Sequence, residues 1–234
     1  MTEGWIIPSP KEPTKSRDVF RKEREEKVRW LTREGILRSR RITAALLKVL
    51  REEFIPPLYR DYAYEEVPLP LPGERATVSC PHSYPLFYEP LGLDEGHRFL
   101  EIGLGSGYGA AVAREVVGPT GLVVSVEIDP VTLRFGQANL ERAGYLDVVV
   151  VLGDGGRGYA KLAPYDRICV TAACQAIPPP LLEQLAEGGR LIGPVVERGI
   201  QYLTLVEKRD QELKTQVLCE VLYIPLRGCY GEQS

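Results

Sequence analysis

Residues 98–111, RFLEIGLGSGYGAA, place a short apolar run directly before four glycines that are spaced two apart. Glycine tolerates a positive φ and lets a ligand approach the main chain closely. An apolar run, a glycine-rich turn and a helical pattern in this order are typical of the first strand, loop and helix of a doubly wound α/β sheet. Ligands of such sheets lie beyond the carboxyl ends of the strands. The glycine loop therefore predicts both the fold class and the place where a ligand binds.

The chain continues with the same alternation of strands and helices. Strands are predicted over 99–102, 122–127, 147–152, 167–173 and 190–196, and helices over 107–117, 130–143 and 180–187. The run 147–152, DVVVVL, is β-branched on both faces, which is typical of a strand buried between two helix layers. We therefore predict a mostly parallel, Rossmann-like sheet.

The two ends of the chain follow different patterns. Ser16 and Gly35 bound a helix predicted over 17–34, and a second helix is predicted over 42–53. Near the other end, two alternating stretches surround the charged turn KRDQEL, which predicts an antiparallel hairpin. The predicted fold is α/β, a doubly wound sheet with N-terminal helices and a C-terminal antiparallel hairpin.

Length and composition narrow the class of protein. The 234 residues suffice for one α/β domain with a modest appendage, so we expect a single domain over 1–234. Within it we expect a flexible extension over 1–16, a helical and loop region over 17–73, and the α/β core over 74–234. A net charge of −3 gives no reason to expect nucleic acid as a partner.

Several absences point to a protein of the cytoplasm. No segment approaches the ~18 consecutive apolar residues of a membrane span, and MTEGWIIPSPKEPTK has no signal-peptide core. The five cysteines and two histidines form no CxxC or HExxH motif, so no metal site is predicted. Asparagine and methionine occur once each, while charged residues make up 26% of the chain, a balance typical of proteins from hot environments.

The glycine loop departs from the dinucleotide-binding pattern GxGxxG, because Tyr108 stands where the third glycine would be. The pattern is ExGxGxG, with Glu101 ahead of Gly103. Glu127 ends the next predicted strand, where a carboxylate can accept from two ribose hydroxyls. Asp154 ends the following strand, where it can accept from the exocyclic amine of adenine.

These strand ends together predict an adenosine ligand without pyrophosphate, and S-adenosylmethionine fits that description. Taken singly, the two acids also fit helix caps or solvated loop residues. The expected cofactor-binding residues are Glu101, Gly103, Leu104, Gly105, Ser106, Gly107, Glu127, Ile128, Asp154 and Gly155.

Six segments between about Leu31 and Gly228 together resemble the protein-L-isoaspartate O-methyltransferase family. They are ATVSCPH (76–82), FLEIGLGSGYGAAVA (99–113), VVSVEID (123–129), GDGGRG (153–158), APYDRICVTAACQAIPPPLLEQL (163–185) and IPLRG (224–228). The resemblance implies methyl transfer from S-adenosylmethionine to the α-carboxylate of L-isoaspartyl residues, with S-adenosylhomocysteine as product. Damaged proteins and peptides are then the partners. The methyl ester closes to a succinimide without the enzyme, and hydrolysis returns some normal aspartate.

The resemblance also implies the residues on the substrate side. Ser79 corresponds to the active-site serine, whose hydroxyl can donate to the acceptor carboxylate. The positions implied to line the substrate are Thr77, Pro81, His82, Thr171 and Ala172. An acceptor carboxylate with a pKa near ~4 is ionised at neutral pH and needs no general base.

Other interpretations of these residues stay open. Ser79 also fits a helix cap, and Cys80 beside His82 fits a thiol nucleophile, which the family does not need. The chain departs from the family's pattern at Ser83-Tyr84-Pro85, where the family has Met followed by small or apolar residues. We expect this stretch to change which peptides are accepted.

The leading hypothesis is a monomeric repair enzyme. One alternative is a methyltransferase of the same fold that acts on another acceptor, such as an RNA base or a specialised peptide. The other is a non-catalytic adaptor that binds the cofactor and isoaspartate without turnover.

Overall fold

The computed structural model describes residues 7–232. The α-helices are α1 (Arg17–Arg33), α2 (Arg40–Lys48), α3 (Ser83–Leu91), α4 (Tyr108–Val117), α5 (Pro130–Arg142) and α6 (Pro179–Glu183). The strands are β1 (Leu69–Pro70), β2 (Thr77–Val78), β3 (Arg98–Ile102), β4 (Leu122–Glu127), β5 (Val149–Leu152), β6 (Tyr165–Val170), β7 (Leu185–Glu197), β8 (Ile200–Arg209) and β9 (Glu212–Val221). Among the helices of 7–232, none has both the length and the apolar character needed to cross a membrane.

The main sheet has the strand order β5-β4-β3-β6-β7-β8-β9. Strands β3 to β7 run parallel, whereas β7, β8 and β9 pair antiparallel. This topology confirms the predicted mostly parallel, doubly wound sheet with its C-terminal hairpin. Because β4 and β6 pair with opposite edges of β3, the chain reverses direction across the sheet at β3. Ligands of open α/β sheets bind at such a switch point.

The centre of the sheet is its most buried part. Leu100 of β3 and Val124 of β4 are fully buried in one apolar cluster, and Phe99 and Val123 are fully buried in another. Alternate residues of each central strand therefore pack against different layers, as expected when helices or loops cover both faces. By contrast β5 lies at the edge, where its residues are partly or well exposed, and it begins at Val149. A strand was predicted over 147–152 and is present, but the prediction that it is buried between two helix layers is wrong.

Helix α1 confirms the prediction from its end signals. The Ser16 side chain accepts from the Val19 amide, and Gly35 beyond the end has a φ of 73°. Two other helix ends differ from the prediction. Helix α2 ends at Lys48, and a 3₁₀ helix (Arg51–Phe54) follows. Helix α6 ends at Glu183 because Leu185 leaves the helical pattern to pair with Tyr165 at the start of β7.

The segment 9–15 lies along the 3₁₀ helix Pro57–Tyr62. The Asp61 carboxylate accepts from the Thr14 amide and hydroxyl at 3.0 and 2.8 Å and from the Lys15 amide at 3.2 Å. This part of the predicted flexible extension is therefore fixed by hydrogen bonds. Residues 1–6 of the predicted extension lie outside the described range.

Candidate active site

A cavity of about 590 Å³ lies at the carboxyl ends of β3, β4 and β6. This volume is within the range of small-molecule sites, roughly 300–1,000 Å³. Its wall is formed by the glycine loop with the ends of β4 and β6, by the segment 76–84 with Glu66, and by residues 220–227. Every predicted site residue lines the cavity except Pro81, Gly107 and Asp154.

The glycine loop takes a form that only glycine adopts easily. Gly103 and Gly105 have φ values of 99° and 55°. A Cβ on Gly103 would lie 2.3 Å from the Thr171 hydroxyl oxygen, whereas a Cβ on Gly105 would meet nothing closer than 3.6 Å. Gly103 thus makes room for Thr171, and Gly105 keeps the floor of the cavity open.

Thr171 holds this loop rather than projecting a free hydroxyl. It follows β6 directly, and its hydroxyl donates to the Ile102 carbonyl at 2.8 Å, at the end of β3. Thr171 therefore has a structural role, and its contact with the substrate stays a prediction. Ala172, the next residue, is buried and lines the cavity.

Gly107 and Pro81 lie behind the cavity wall. A Cβ on Gly107 would lie 2.8 Å from the Gly136 carbonyl oxygen of α5, so this glycine permits close packing of the loop against that helix. Pro81 is buried just ahead of α3. Both residues shape the site, but neither faces the cavity.

Glu127 sits between the end of β4 and the glycine loop. Its Oε1 accepts from the amides of Ile128 and Asp129 at 3.0 and 3.1 Å, and its Oε2 accepts from the Gly105 amide at 3.1 Å. A carboxylate offers about four acceptor positions. One position on Oε2 is therefore left for a ligand hydroxyl in the cavity that this residue lines.

Glu101 is buried beneath the loop. Loss of solvent raises the pKa of its carboxyl to about 8, although the Ser125 hydroxyl, which donates to Oε2 at 2.7 Å, acts in the opposite direction. At neutral pH the carboxyl is therefore mostly protonated. Gly109 of α4 allows this arrangement, because a Cβ there would lie 2.3 Å from Glu101 Oε1.

Asp154 caps the 3₁₀ helix Gly155–Arg157, as the helix-cap alternative predicted, and it also makes a contact with Cys229 that the sequence did not predict. Its Oδ1 accepts from the Gly156 amide at 2.9 Å, and its Oδ2 accepts from the Cys229 amide at 2.8 Å. Burial raises the pKa of Asp154, but these hydrogen bonds outweigh it, and the net pKa lies below its ordinary value. Asp154 thus fastens the C-terminal segment to the end of β5, while its contact with adenine stays a prediction. Gly155, its neighbour, lines the cavity.

Ser79 is anchored through its main chain. The Nη2 of Arg51 donates to the Ser79 carbonyl at 2.7 Å, and its Nε donates to the Ala63 carbonyl at 2.5 Å. Arg51 is 1% exposed, and its guanidinium carbon lies 5.5 and 5.1 Å from the ring centres of Tyr84 and Tyr108, within the range of cation–π contacts. No signal in the sequence indicates this role of Arg51, which falls near the end of the helix predicted over 42–53.

Neither alternative for the segment 79–82 gains support. Ser79 does not cap α3, which begins at Ser83 after a cap at His82. Burial and the nearby Glu66 carboxylate raise the pKa of the Cys80 thiol, which opposes a thiolate nucleophile. His82 Nδ1 lies 2.5 Å from Glu66 Oε2 and is held by that contact.

The stretch Ser83-Tyr84-Pro85 forms the first turn of α3. Proline suits this position because the first amides of a helix have no partner within it. Tyr84 lines the cavity, and its ring packs edge-to-face on Tyr108 with centroids 4.7 Å apart. The departure from the family's pattern therefore places an anchored aromatic ring in the wall near Ser79.

The third wall of the cavity comes from the end of the chain. Ala173 pairs with Pro225, since the Leu226 amide donates to the Ala173 carbonyl at 2.7 Å and the Ala173 amide donates to the Ile224 carbonyl at 2.8 Å. Tyr223 and Arg227 line the cavity beside them. The motif IPLRG is visible in the sequence, but nothing local indicates that it folds back onto the end of β6.

The fold and the site together define a class of protein. A glycine loop after the first strand of the parallel sheet, an acid at the end of the second, and a cavity at the switch point are the features of an S-adenosylmethionine-dependent methyltransferase. Comparisons with known proteins then identify the family. The family model described as "Protein-L-isoaspartate(D-aspartate) O-methyltransferase" matches residues 22–230, and the chain belongs to this family.

Relatives from archaea resemble the chain over most of its length. A protein-L-isoaspartate O-methyltransferase of Hyperthermus butylicus is 44% identical, with 93% of this chain and 94% of the relative covered. One of Staphylothermus marinus is 45% identical, with coverages of 92% and 98%. These relatives come from thermophilic archaea, which supports the prediction of a hot habitat.

Two solved structures agree with this fold. A protein-L-isoaspartate O-methyltransferase superposes with a TM-score of 0.80 at 40% identity, covering 86% of this chain and 65% of the solved chain. A protein from Plasmodium falciparum in complex with S-adenosyl-L-homocysteine, described as a protein-L-isoaspartate O-methyltransferase, gives a TM-score of 0.79 at 23% identity, covering 87% and 97%. The second likeness concerns the fold alone.

Proposed function

We propose that this protein transfers the methyl group of S-adenosylmethionine to the α-carboxylate of L-isoaspartyl residues in damaged proteins. Membership of the family supports the reaction. The observation in the structure that carries the proposal is a single cavity that brings Glu127 and the glycine loop together with Ser79. A cofactor and an acceptor can therefore meet in one space.

The residues present fit this cofactor. Gly105 leaves the floor of the cavity without a side chain, and the Oε2 atom of Glu127 retains an acceptor position for a ribose hydroxyl. Gly155 fits the adjoining wall, because a Cβ there would lie 2.3 Å from Ile102. Bound in this space, S-adenosylmethionine supplies a methyl group that is already activated by its sulfonium.

The chain itself has to position the acceptor and exclude water. An ionised carboxylate attacks without a general base, so an orienting donor matters more than a proton acceptor. We assign that role to the Ser79 hydroxyl, because Arg51 fixes the main chain of Ser79 from behind. The walls on the two sides of this part of the cavity are apolar, because they are formed by Tyr84, Tyr223 and Leu226. Apolar walls limit water there.

Selectivity for isoaspartate follows from distance. An isoaspartyl residue carries its free α-carboxylate on a branch of a main chain that is one methylene longer. A site that places this branch in line would misplace the β-carboxylate of ordinary aspartate by about an ångström or more. Such a displacement can lower the rate by ~100-fold.

The reaction is tested with two isomeric peptides, one isoaspartyl and one aspartyl, incubated with labelled cofactor and analysed by mass spectrometry. We expect a methyl gain confined to the isoaspartyl form. Equal methylation of both peptides would refute the repair function. It would favour a methyltransferase of the same fold that acts on another acceptor. Cofactor binding without any methyl transfer would favour the non-catalytic adaptor.

The role of Ser79 is tested by Ser79→Ala on the isoaspartyl peptide. We expect kcat to fall by at least about tenfold while the cofactor affinity, measured by calorimetry, stays within about twofold. Full kcat in the variant would show that the hydroxyl does not orient the acceptor. Light scattering tests the accompanying prediction that the enzyme is a monomer.

A further inference from the structure

Three side chains with metal-binding atoms meet in the cavity wall next to Ser79. They are the Glu66 carboxylate, the Cys80 thiol and the His82 imidazole, and their ligand atoms all lie within 4.8 Å of one another. All three residues line the cavity. Cys80 is a free, half-buried thiol. We call this group the Glu66–Cys80–His82 cluster.

The hairpin of β1 and β2 creates this cluster. Leu69 of β1 pairs with Val78 of β2, which brings the residues before β1 beside the residues after β2. Glu66 therefore meets Cys80 and His82 although it lies sixteen residues before the histidine. The spacing matches no zinc motif, which explains why the sequence predicts no metal site.

A cysteine sulfur that releases its proton when the metal binds, an imidazole and a carboxylate are together the donor set of zinc sites, and three protein ligands leave a fourth position open. Zinc lies about 2.0–2.3 Å from such ligands, so two ligands of one tetrahedral ion are roughly 3.3–3.8 Å apart. His82 Nδ1 and Glu66 Oε2 are 2.5 Å apart, the distance of two atoms that share a proton. An ion in place of that proton requires these two side chains, which are 37% and 29% exposed, to separate by about an ångström.

Lys27 both orients and opposes this arrangement. Its ammonium lies 2.9 Å from Glu66 Oε1, so it holds the carboxylate with the other oxygen toward His82. The positive charge at the same time repels a cation. The Glu66 side chain is 29% exposed and that of Lys27 is 17% exposed, so solvent screens this repulsion only in part.

We propose that the Glu66–Cys80–His82 cluster binds a thiophilic divalent cation such as Zn²⁺, and that the bound cation competes with the peptide acceptor. The site itself follows from the geometry of the cluster. The competition rests on the proposed function, because the acceptor is assigned to the part of the cavity that holds Ser79. The cluster thus makes methyl transfer sensitive to free zinc.

Binding is tested on the full chain without cofactor or peptide. Zn²⁺ is titrated by calorimetry after removal of metal with a chelator, and Co²⁺ serves as a spectroscopic probe because a thiolate–cobalt bond gives an intense near-ultraviolet charge-transfer band. We expect one ion per chain and a charge-transfer band. Cys80→Ser should remove the band and weaken Zn²⁺ binding by at least about tenfold. Cys229→Ser, which removes an exposed thiol elsewhere, should change neither.

Lys27→Gln gives a test in the opposite direction. Removing the ammonium beside Glu66 should tighten Zn²⁺ binding by a few-fold, since a repulsive charge is lost and the three ligands remain. Absence of a charge-transfer band in the wild type, or equal Zn²⁺ affinity in the wild type and Cys80→Ser, would overturn the site. Weaker binding in Lys27→Gln would show that the contact of Lys27 orients Glu66 as a ligand more than its charge repels the cation.

The competition is tested with the isoaspartyl peptide. Added Zn²⁺ should raise the KM for the peptide and leave the affinity for S-adenosylhomocysteine unchanged, and Cys80→Ser should resist this inhibition. Equal inhibition of wild type and Cys80→Ser would overturn the competition. If the chelator-treated enzyme fails to methylate the peptide at all, the proposed function fails, while the cobalt spectrum still decides the site.

Discussion

Glu101 is the residue whose titration most directly reports on the buried side of the site. Burial raises the pKa of its carboxyl from 4.5 to about 8, so the folded protein keeps a proton that the unfolded chain loses. Its contribution to the free energy of unfolding is fully present below about pH 4.5 and is lost as the pH rises through about 8. The wild type should therefore lose stability relative to Glu101→Gln across this window, by up to about 1.4 kcal/mol per pH unit. Urea denaturation of both proteins at a series of pH values measures the difference.

The glutamine variant is the appropriate partner in this comparison because it keeps the shape of the side chain and an acceptor for the Ser125 hydroxyl. All other titrating groups are common to both proteins and cancel in the difference. Parallel stability curves between pH 4.5 and 8 would contradict the raised pKa of Glu101.

Glu127 should control the affinity for the cofactor. Its carboxylate lines the cavity and holds the Gly105 amide, so Glu127→Ala removes a ligand acceptor and loosens the loop together. We expect the free energy of S-adenosylhomocysteine binding, measured by calorimetry, to become less favourable by about 1–3 kcal/mol. Glu141→Gln, which changes an exposed acid of α5, serves as the control. An unchanged affinity in Glu127→Ala would refute the contact.

At the scale of elements, the loop after β3 and the residue after β6 constrain each other. Gly103→Ala should be destabilising by about 1–3 kcal/mol because alanine adopts a φ of 99° poorly and because its Cβ would meet the Thr171 hydroxyl oxygen. Combining it with Thr171→Ala removes the second cause. The double variant should therefore be more stable than the sum of the single effects predicts, by about 0.5 kcal/mol or more in thermal unfolding.

Gly105→Ala provides the matched control for this double-mutant cycle. Its φ is also positive, but the first contact of its Cβ would be Leu71 at 3.6 Å rather than Thr171. Gly105→Ala and Thr171→Ala should be additive. Additivity of the Gly103 pair as well would show that the loop yields to the extra methyl group.

Elements with local signals were predictable from the sequence. Helix α1 has its cap Ser16 and its terminal Gly35 within the same stretch, and the glycine loop and Glu127 follow their own strands directly. The ends of α2 and α6 were not predictable in this way. The end of α6 depends on Leu185, which joins the sheet, and the 3₁₀ helix after α2 contains Arg51, which reaches carbonyl groups twelve and twenty-eight residues away.

The same distinction applies to the site. The cofactor side follows from strand ends that are adjacent in any parallel sheet, so a pattern of residues identifies it. The wall at 220–227 and the Glu66–Cys80–His82 cluster depend on contacts between distant parts of the chain. Pairing of this kind leaves no periodic signal in the sequence, because neither partner's neighbours indicate where it will fold.

On the scale of the whole molecule, the segment 220–227 both lines the cavity and packs into the hydrophobic core. Leu226 is 5% exposed and packs in the core beneath the sheet, whereas Leu222 on the same segment is 55% exposed. Leu226→Ala should lower the free energy of unfolding by about 2–4 kcal/mol, and Leu222→Ala by less than about 0.5 kcal/mol. Chemical denaturation of the two variants measures this contrast. Similar losses would mean that the segment packs differently from its position in the structure.

The wall at 220–227 is also the last part of the cavity to be translated. The glycine loop, Glu127 and Ser79 leave the ribosome earlier, while residues 220–227 are still within its exit tunnel. A nascent chain can therefore fold much of its parallel sheet before it has an enclosed place for an acceptor. The cavity gains its third wall only after synthesis has passed this segment.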